Sequence, residues 1–314
     1  MTRKRIAITG GTGFVGRHFA ELLRERGHDA IVLSRRTGGD VGDIDALARA
    51  FRDCDAIAHL AGINRELGDQ TYQRVHFDGT RNVVEAARRA GVPRVALLSF
   101  LRARPDCGSP YHESKFAAEE IVRNSGLEFT ILKSGVIYGR GDHLLDHLSH
   151  SLHTLPLFAT VGAHQPPLRP TAVGDLAEIL FAALVDDRLI NQTLAVLGPE
   201  VLTMRQVVER VGDAIGRRPW ILSVPVAFHR LLARVTEATM KVPLISVAQV
   251  RMLAEGLSEP APPCAELPDD LKPRTRFTLD AIRRGLPPAG KFGCRDLRLS
   301  PHCPLVRLMQ PSVR

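Results

Sequence analysis

The chain is poor in aromatic side chains, with one tryptophan, three tyrosines and only 5% Phe, Trp and Tyr together. Its five cysteines are odd in number, and Cys54, Cys107, Cys264, Cys294 and Cys303 include no Cys-x-x-Cys pair. That excludes a disulfide scaffold, offers no zinc or redox motif, and is the pattern of reduced thiols in a cytoplasm. No unbroken apolar stretch reaches the ~18 residues that span a bilayer, which leaves a soluble chain, peripheral to a membrane at most. Arg3-Lys4-Arg5 before Ile6-Ala7-Ile8 has the look of a secretory leader, but glycines interrupt the apolar run before it is long enough. Lysine is scarce beside arginine. The net charge of +8 is scattered over many expected helices without an RNA or DNA module signature, which argues against a nucleic-acid partner. The sequence shows no internal repeat and does not specify an oligomeric state.

What is present fits a chain of 314 residues built as one full α/β domain with a smaller appendage. Short β-rich runs at Arg5–Thr9, Ala30–Ser34, Ala56–Leu60, Arg94–Ser99 and Phe129–Lys133 alternate with helical patterns at Val15–Arg26, Ile44–Phe51, Gln70–Ala90 and Tyr111–Asn124. Gly27, Gly91 and Gly126 stand where helices need a left-handed cap. This rhythm predicts a doubly wound parallel Rossmann sheet over residues 1–138, with ligands at the carboxyl ends of its strands. Residues 139–256 read as a smaller substrate-side lobe interleaved with the last Rossmann elements. It holds a His-rich helix, a loop with Pro166, Pro167 and Pro170, helices from Val173 and Met204, and a strand at Thr193–Leu197. Residues 257–314 read as a Pro- and charge-rich extension, partly disordered, with little periodicity beyond Ser300.

Strand residues Ile6-Ala7-Ile8 run straight into Thr9-Gly10-Gly11-Thr12-Gly13-Phe14-Val15-Gly16 and then an amphipathic helix. Gly10 gives a tight turn, Gly13 lets backbone approach a pyrophosphate, and Gly16 lets helix pack on sheet. The helix N-terminus at Phe14, Val15 and Gly16 then faces the negative charge. A glycine triplet set between strand and helix at the start of a βαβ unit is strong evidence for a dinucleotide.

These residues, followed by Asp40-Val41, His59-Leu60-Ala61-Gly62 and Tyr111-x-x-x-Lys115, resemble the short-chain dehydrogenase/reductase superfamily in its extended and atypical, epimerase/dehydratase-like branches. The likeness runs to about Asp175, in Pro170-Thr171-Ala172-Val173-Gly174-Asp175-Leu176-Ala177. It implies that Asp40 and Val41 sit against adenine and that Leu60, Ala61 and Gly62 line the cofactor. It also implies that Lys115 contacts the nicotinamide ribose and that Ser99 holds a substrate carbonyl. His76 stands where the family has a helix asparagine, Lys133-Ser134 where it has Arg-Pro, and the interval from Ser99 to Tyr111 is short. These departures are similar to the atypical group containing the NADPH-binding accessory subunit of respiratory complex I.

Ser109-Pro110 makes a helix start, which puts Tyr111 and Lys115 four apart on one face. A phenol with an unperturbed pKa of ~10 needs a neighbouring ammonium to shuttle protons near neutrality, and Lys115 can supply it. The expected activity is an NAD(P)(H)-dependent oxidoreductase acting on a carbonyl or hydroxyl. A non-catalytic NADP(H)-binding protein and a nucleotide-sugar epimerase or dehydratase stand as alternatives.

NADP(H) is expected ahead of NAD(H). Where NAD-selective sites place a carboxylate, at the end of the second strand, this chain has Ser34, Arg35 and Arg36, and guanidinium groups suit a 2′-phosphate. His143, His147, His150 and His153 share a helix face, but a polar face without metal is the expectation. Val224–Met240 has apolar residues at helical spacing around Arg230 and Arg234. It reads first as core packing and second as a membrane-surface or quinone-facing helix.

Overall fold

A computed structural model describes residues 2–162, 164–240 and 245–292. The first half runs β1 (Arg5–Thr9), α1 (Phe14–Glu25), β2 (Asp29–Leu33), α2 (Ile44–Ala50), β3 (Ala56–His59), α3 (Gly79–Ala90), β4 (Arg94–Phe100), α4 (Pro110–Arg123) and β5 (Glu128–Ser134). The second runs β6 (Ile137–Tyr138), α5 (His143–Thr154), β7 (Leu157–Val161), β8 (Thr171–Ala172), α6 (Val173–Leu184), β9 (Gln192–Val196), α7 (Met204–Ala214) and β10 (Trp220–Val224). It closes with α8 (Val226–Thr239), α9 (Val247–Glu255), β11 (Ala265–Glu266) and α10 (Leu279–Gly285).

Seven strands form one parallel sheet in the order β11-β9-β5-β4-β3-β1-β2, a Rossmann-like α/β fold. Ile6, Ala7 and Ile8 are all fully buried, because helices cover both faces of a parallel sheet and leave no strand face for water. Alternation divides them. Ile6, Ile8, Ala56 and Ala58 point into a core shared with α1 and α6, whereas Ala7, Ile57, Val95 and Leu97 point into one shared with α2, α3 and α4. The chain leaves β1 for β2 on one side and returns to β3 on the other, so β1 and β3 flank the switch point where such sheets bind ligands.

A second lobe packs against the carboxyl end. The pairs β6–β8 and β7–β10 are parallel, and a core of Tyr138, Leu148, Val207, Val211, Phe277 and Ile282 joins α5, α7 and α10. A smaller cluster of Val161, Ala233 and Val250 lies under α8 and α9. Leu257, Leu267, Phe277 and Ile282 are buried, so the Pro- and charge-rich segment supplies core side chains from its loops as well as from α10. The expected low-periodicity tail beyond Ser300, with Cys294 and Cys303, lies outside the described residues.

The helix expected over Gln70–Ala90 forms from Tyr72 to Ala90, with a wider turn at its start. Residues Gln73–Asp78 form a π-turn that continues into α3. The extra residue in that turn swings His76 inward, where it is 2% exposed, and such turns gather at functional sites.

Candidate functional site

The glycine loop lies at the switch point. Gly10 has φ +69°, and a Cβ there would come within 2.7 Å of the Ala61 nitrogen. Only glycine therefore lets the tips of β1 and β3 meet. A Cβ on Gly16 would stand 2.5 Å from the Gly10 carbonyl oxygen, so the same loop lets α1 settle on the sheet. The N–H groups of Phe14, Val15 and Gly16 meet no acceptor among the described residues, the first bonded amide being Arg17 on Gly13 at 3.1 Å. These are the orphan donors of a helix start, aimed out of the carboxyl edge of the sheet, and they fit a pyrophosphate.

Ser34 follows β2 and closes a capping box with Thr37. Arg35 and Arg36 project from that turn, exposed and without an ion pair among the described residues. Asp40 Oδ1 accepts the Gly42 amide at 2.9 Å, and Val41 is buried with its carbonyl held by Asn82 Nδ2 at 2.9 Å. Leu60 and Ala61 are half-buried and Gly62 is open.

The residues expected to do chemistry lie on α4. Tyr111, Lys115 and Glu119 recur every fourth residue and are all buried, so one helix face carries a phenol, an ammonium and a carboxylate toward the sheet. Tyr111 is ringed by Tyr72, His76, Phe100 and His112, with centroids 5.3 to 5.9 Å away and every ring edge-on. Burial among these rings raises the phenol above its ordinary pKa, with Tyr72 adding to the shift, so Tyr111 stays protonated at physiological pH. Lys115 Nζ donates to the Leu98 carbonyl at 3.2 Å, its one acceptor among the described residues. Burial draws the ammonium down to about 8, opposed by Glu119. A methyl group added at Gly62 would stand 3.1 Å from Lys115 Nζ and 3.5 Å from His76 Nε2, which puts both groups beside the cofactor-lining loop.

Ser99 goes elsewhere. Its hydroxyl donates to Glu119 Oε1 at 2.5 Å, one helical turn beyond Lys115. Lys133 Nζ donates to both Glu119 oxygens at 2.9 and 3.2 Å and to the Ala103 carbonyl at 2.9 Å, and Arg123 completes the cluster at 2.7 Å. The Lys133 that replaces the family's arginine is thus the counter-charge of a carboxylate buried at 0% exposure.

Two histidines tie the glycine loop to α4: His59, not expected at the site, and His76, expected only as the replacement of the family's helix asparagine. Thr9 Oγ1 lies 2.7 Å from His59 Nδ1, and His59 Nε2 lies 3.0 Å from Thr80 Oγ1. Thr80 donates to the His76 carbonyl, so it accepts from His59 Nε2–H and His59 Nδ1 accepts from Thr9. His76 Nε2 accepts the Ile63 amide at 3.1 Å, which places the ring proton on Nδ1, 2.9 Å from Ser114 Oγ. Ser114 in turn donates to the Tyr111 carbonyl at 2.9 Å. Every donor has an acceptor only while both rings are neutral, and burial holds His59 at about 3 and His76 well below its usual value. A polar residue one turn before Thr80 on an otherwise apolar helix face was the available signal.

Three of the four histidines of α5 bond within their own helix. His150 and His153 meet the Asp146 and Ser149 carbonyls at 2.8 Å, and His147 meets Ser151 at 3.3 Å. Among the described residues no three His, Cys, Asp or Glu side chains gather as metal ligands.

Residues 6–192 match the NAD dependent epimerase/dehydratase family. The chain belongs to that family. It is 23% identical over 261 residues to the mitochondrial NADH-ubiquinone oxidoreductase 40 kDa subunit of Neurospora crassa, covering 77% of this chain and 68% of that one. A ceramide reductase of Caulobacter vibrioides is 37% identical over 151 residues, 44% of this chain and 47% of the relative, about half its length. A human epimerase family protein is 26% identical over 278 residues, covering 80% and 94%. Among solved structures, the Bordetella bronchiseptica enzyme WbmH in complex with NAD+ superposes with a TM-score of 0.67 at 18% identity over 90% and 97% of the two chains. The Thermus thermophilus UDP-glucose 4-epimerase in complex with NAD gives 0.62 at 21% identity over 89% and 97%. At these identities the superpositions establish the fold alone.

Proposed function

We propose that this family member is an NADP(H)-dependent oxidoreductase that reduces a carbonyl at Tyr111. The observation that carries the reading is Lys115. An ammonium with one backbone acceptor, buried until its pKa falls to about 8, costs the fold stability, and such groups concentrate at working sites. Two of its three protons remain for hydroxyls of a bound ribose.

The residues present fit the cofactor. The glycine cradle and the three orphan amides of α1 take the pyrophosphate, and Gly62 leaves the space between loop and Lys115 that a side chain would fill. Arg35 and Arg36, exposed and unpaired among the described residues, suit a ribose 2′-phosphate. When bound, the reduced nicotinamide supplies a hydride to the carbonyl carbon. The oxygen that gains charge takes the proton of Tyr111 Oη. Because burial keeps that phenol protonated, Tyr111 stands ready as the acid of a carbonyl reduction. Burial and Tyr72 raise the Tyr111 phenol and Lys115 has no part in that shift, so the role left to the ammonium is the ribose contact rather than the lowering of the phenol expected from the spacing. With the Ser99 hydroxyl spent on Glu119, Tyr111 both orients and protonates the oxygen.

A second, non-catalytic reading is supported by that same engagement of Ser99. One experiment separates the two. A panel of ketones and aldehydes is offered with NADPH to wild type and Tyr111→Phe, and absorbance at the reduced-nicotinamide band is followed. Turnover that drops about a hundred-fold or more in the variant, with nucleotide affinity within a few-fold, is expected; wild-type turnover unchanged by the substitution removes Tyr111 from the chemistry.

A further inference from the structure

The largest unexplained feature is an apolar surface turned outward. On the β7–β10 pair Trp220 stands opposite Leu157, and the two are 78% and 45% exposed. Strand alternation puts Leu157 on the face that also bears Val161, and Val161 is buried under Ala233 and Val250. That face is therefore covered by α8 and α9 at one end and bare at the other. On α8 itself, His229, Ala233 and Thr236 point inward, while Phe228, Leu231 and Val235 point out at 50 to 62% exposure. A helix that packs its small and polar side chains and shows its large apolar ones to water lacks its second partner.

The exposed charges around the patch are arginines, while Glu237 near the end of α8 is half-buried and accepts the Val247 amide at 3.1 Å. Arg217 and Arg218 precede Trp220, and Arg230 and Arg234 flank Leu231. All four are exposed and none has an acidic partner among the described residues, whereas Arg26, Arg89, Arg94 and Arg188 each have one. The occupant must therefore accept apolar side chains and bring negative charge. A second copy of the chain would bring its own four arginines against these.

We infer that this face docks on an anionic phospholipid bilayer, with Trp220, Phe228 and Leu231 entering the headgroup boundary and the four arginines over lipid phosphates. Tyr72, whose phenol is raised by burial and then by the charges of Glu66 and Glu237, stacks on His76 at 5.5 Å and meets Tyr111 edge-on. Docking thus brings the second lobe, which packs against the carboxyl end of the sheet where Tyr111 lies, to the membrane, as suits an amphiphilic carbonyl substrate. That last step rests on the catalytic reading of Tyr111; the docking does not.

The test uses the whole chain with vesicles of phosphatidylcholine and of an equal mixture with phosphatidylglycerol. Trp220 is the single tryptophan, so intrinsic fluorescence reports this patch alone. Co-sedimentation with the anionic vesicles only, a blue-shifted emission and protection from acrylamide quenching are expected. Arg230→Glu with Arg234→Glu should weaken partitioning by about five-fold per arginine removed, or more with the reversed sign. Leu231→Asp should abolish the blue shift while leaving NADPH affinity unchanged, which shows the variant is folded. Failure to bind either vesicle, or sedimentation velocity showing self-association that Leu231→Asp dissolves, overturns the proposal. Unaltered docking in a chain that reduces no carbonyl would remove only the catalytic reading.

Discussion

His76 accepts the amide of Ile63 through Nε2 and must therefore donate through Nδ1 to Ser114, so one neutral ring joins the cofactor-lining loop to the helix that carries Tyr111 and Lys115. Replacing it with alanine orphans a backbone N–H and a hydroxyl lone pair. His76→Ala is expected to cost about 1–3 kcal/mol of stability and to weaken NADPH binding, and His76→Asn to restore part of both. Urea titrations with and without nucleotide check this; a full-affinity alanine variant would show that the loop is held by other contacts.

The two depressed histidines fix a pH dependence. Between the ordinary imidazole value of 6.5 and the value of about 3 for His59, the unfolded chain binds protons that the native state refuses. Their contribution is present above 6.5 and lost as pH falls toward 3. The slope of unfolding free energy against pH over that window should flatten in His59→Gln. An unchanged slope would mean that the ring titrates freely in the native protein.

Lys115 gives the same sign in a higher pH window. Its pKa falls from 10.5 to about 8, so the native state binds fewer protons than the unfolded chain between those values and wild-type stability rises with pH across them. Lys115→Met removes that slope and should stabilise the protein near neutrality, by about 2–3 kcal/mol before relaxation is counted. The same variant should bind NADPH more weakly, and wild-type affinity should decline as pH passes about 8. Calorimetry that finds equal affinity in both proteins would take the ribose contact from Lys115.

At Glu119 the expected loss is structural. Lys133→Met leaves a fully buried carboxylate with Ser99 and Arg123 as its remaining partners, and breaking such a pair costs about 3 kcal/mol. Thermal denaturation should show the loss, while the double variant Lys133→Met with Glu119→Gln should recover much of it. Nucleotide affinity of the Lys133→Met single variant, measured on the folded fraction, should not move, because Glu119 still opposes burial at Lys115.

For cofactor choice, Arg35→Ala should lower a preference for NADPH over NADH by about ten- to hundred-fold, the worth of a charge-assisted pair with phosphate discounted for salt. Equal wild-type affinities, or a preference that survives the substitution, would falsify the assignment of the 2′-phosphate to this turn.

How much of this was legible follows from the kind of signal each element carries. The first five strands and the glycine loop could be read because parallel strands are continuous apolar runs and Gly10 and Gly16 meet backbone where no side chain fits. The position of Tyr111 and Lys115 on one buried face followed from their spacing. Ser99 did not follow, because its hydroxyl direction depends on Glu119 and Lys133, two residues from other elements whose meeting no local pattern announces. The π-turn at His76 was equally hidden, since one extra residue in a helix leaves the apolar period almost intact. The two-residue strands β6, β8 and β11 owe their form to neighbours. The outward apolar face of α8 has the same period as an inward one, so sequence could not tell which side would be covered.

The strand order has a consequence for synthesis. Strand β9 pairs with β5, yet it is made only after residues 135–191 have followed β5 out of the ribosome. Until then the backbone groups along one side of Thr130, Ile131 and Leu132 have no neighbour, and the growing chain offers an apolar edge to any other strand nearby. A gene cut after residue 138 would freeze the protein in that state. The nucleotide-binding half should therefore be studied in the whole chain, and a nascent-chain holdase is the natural companion of its translation.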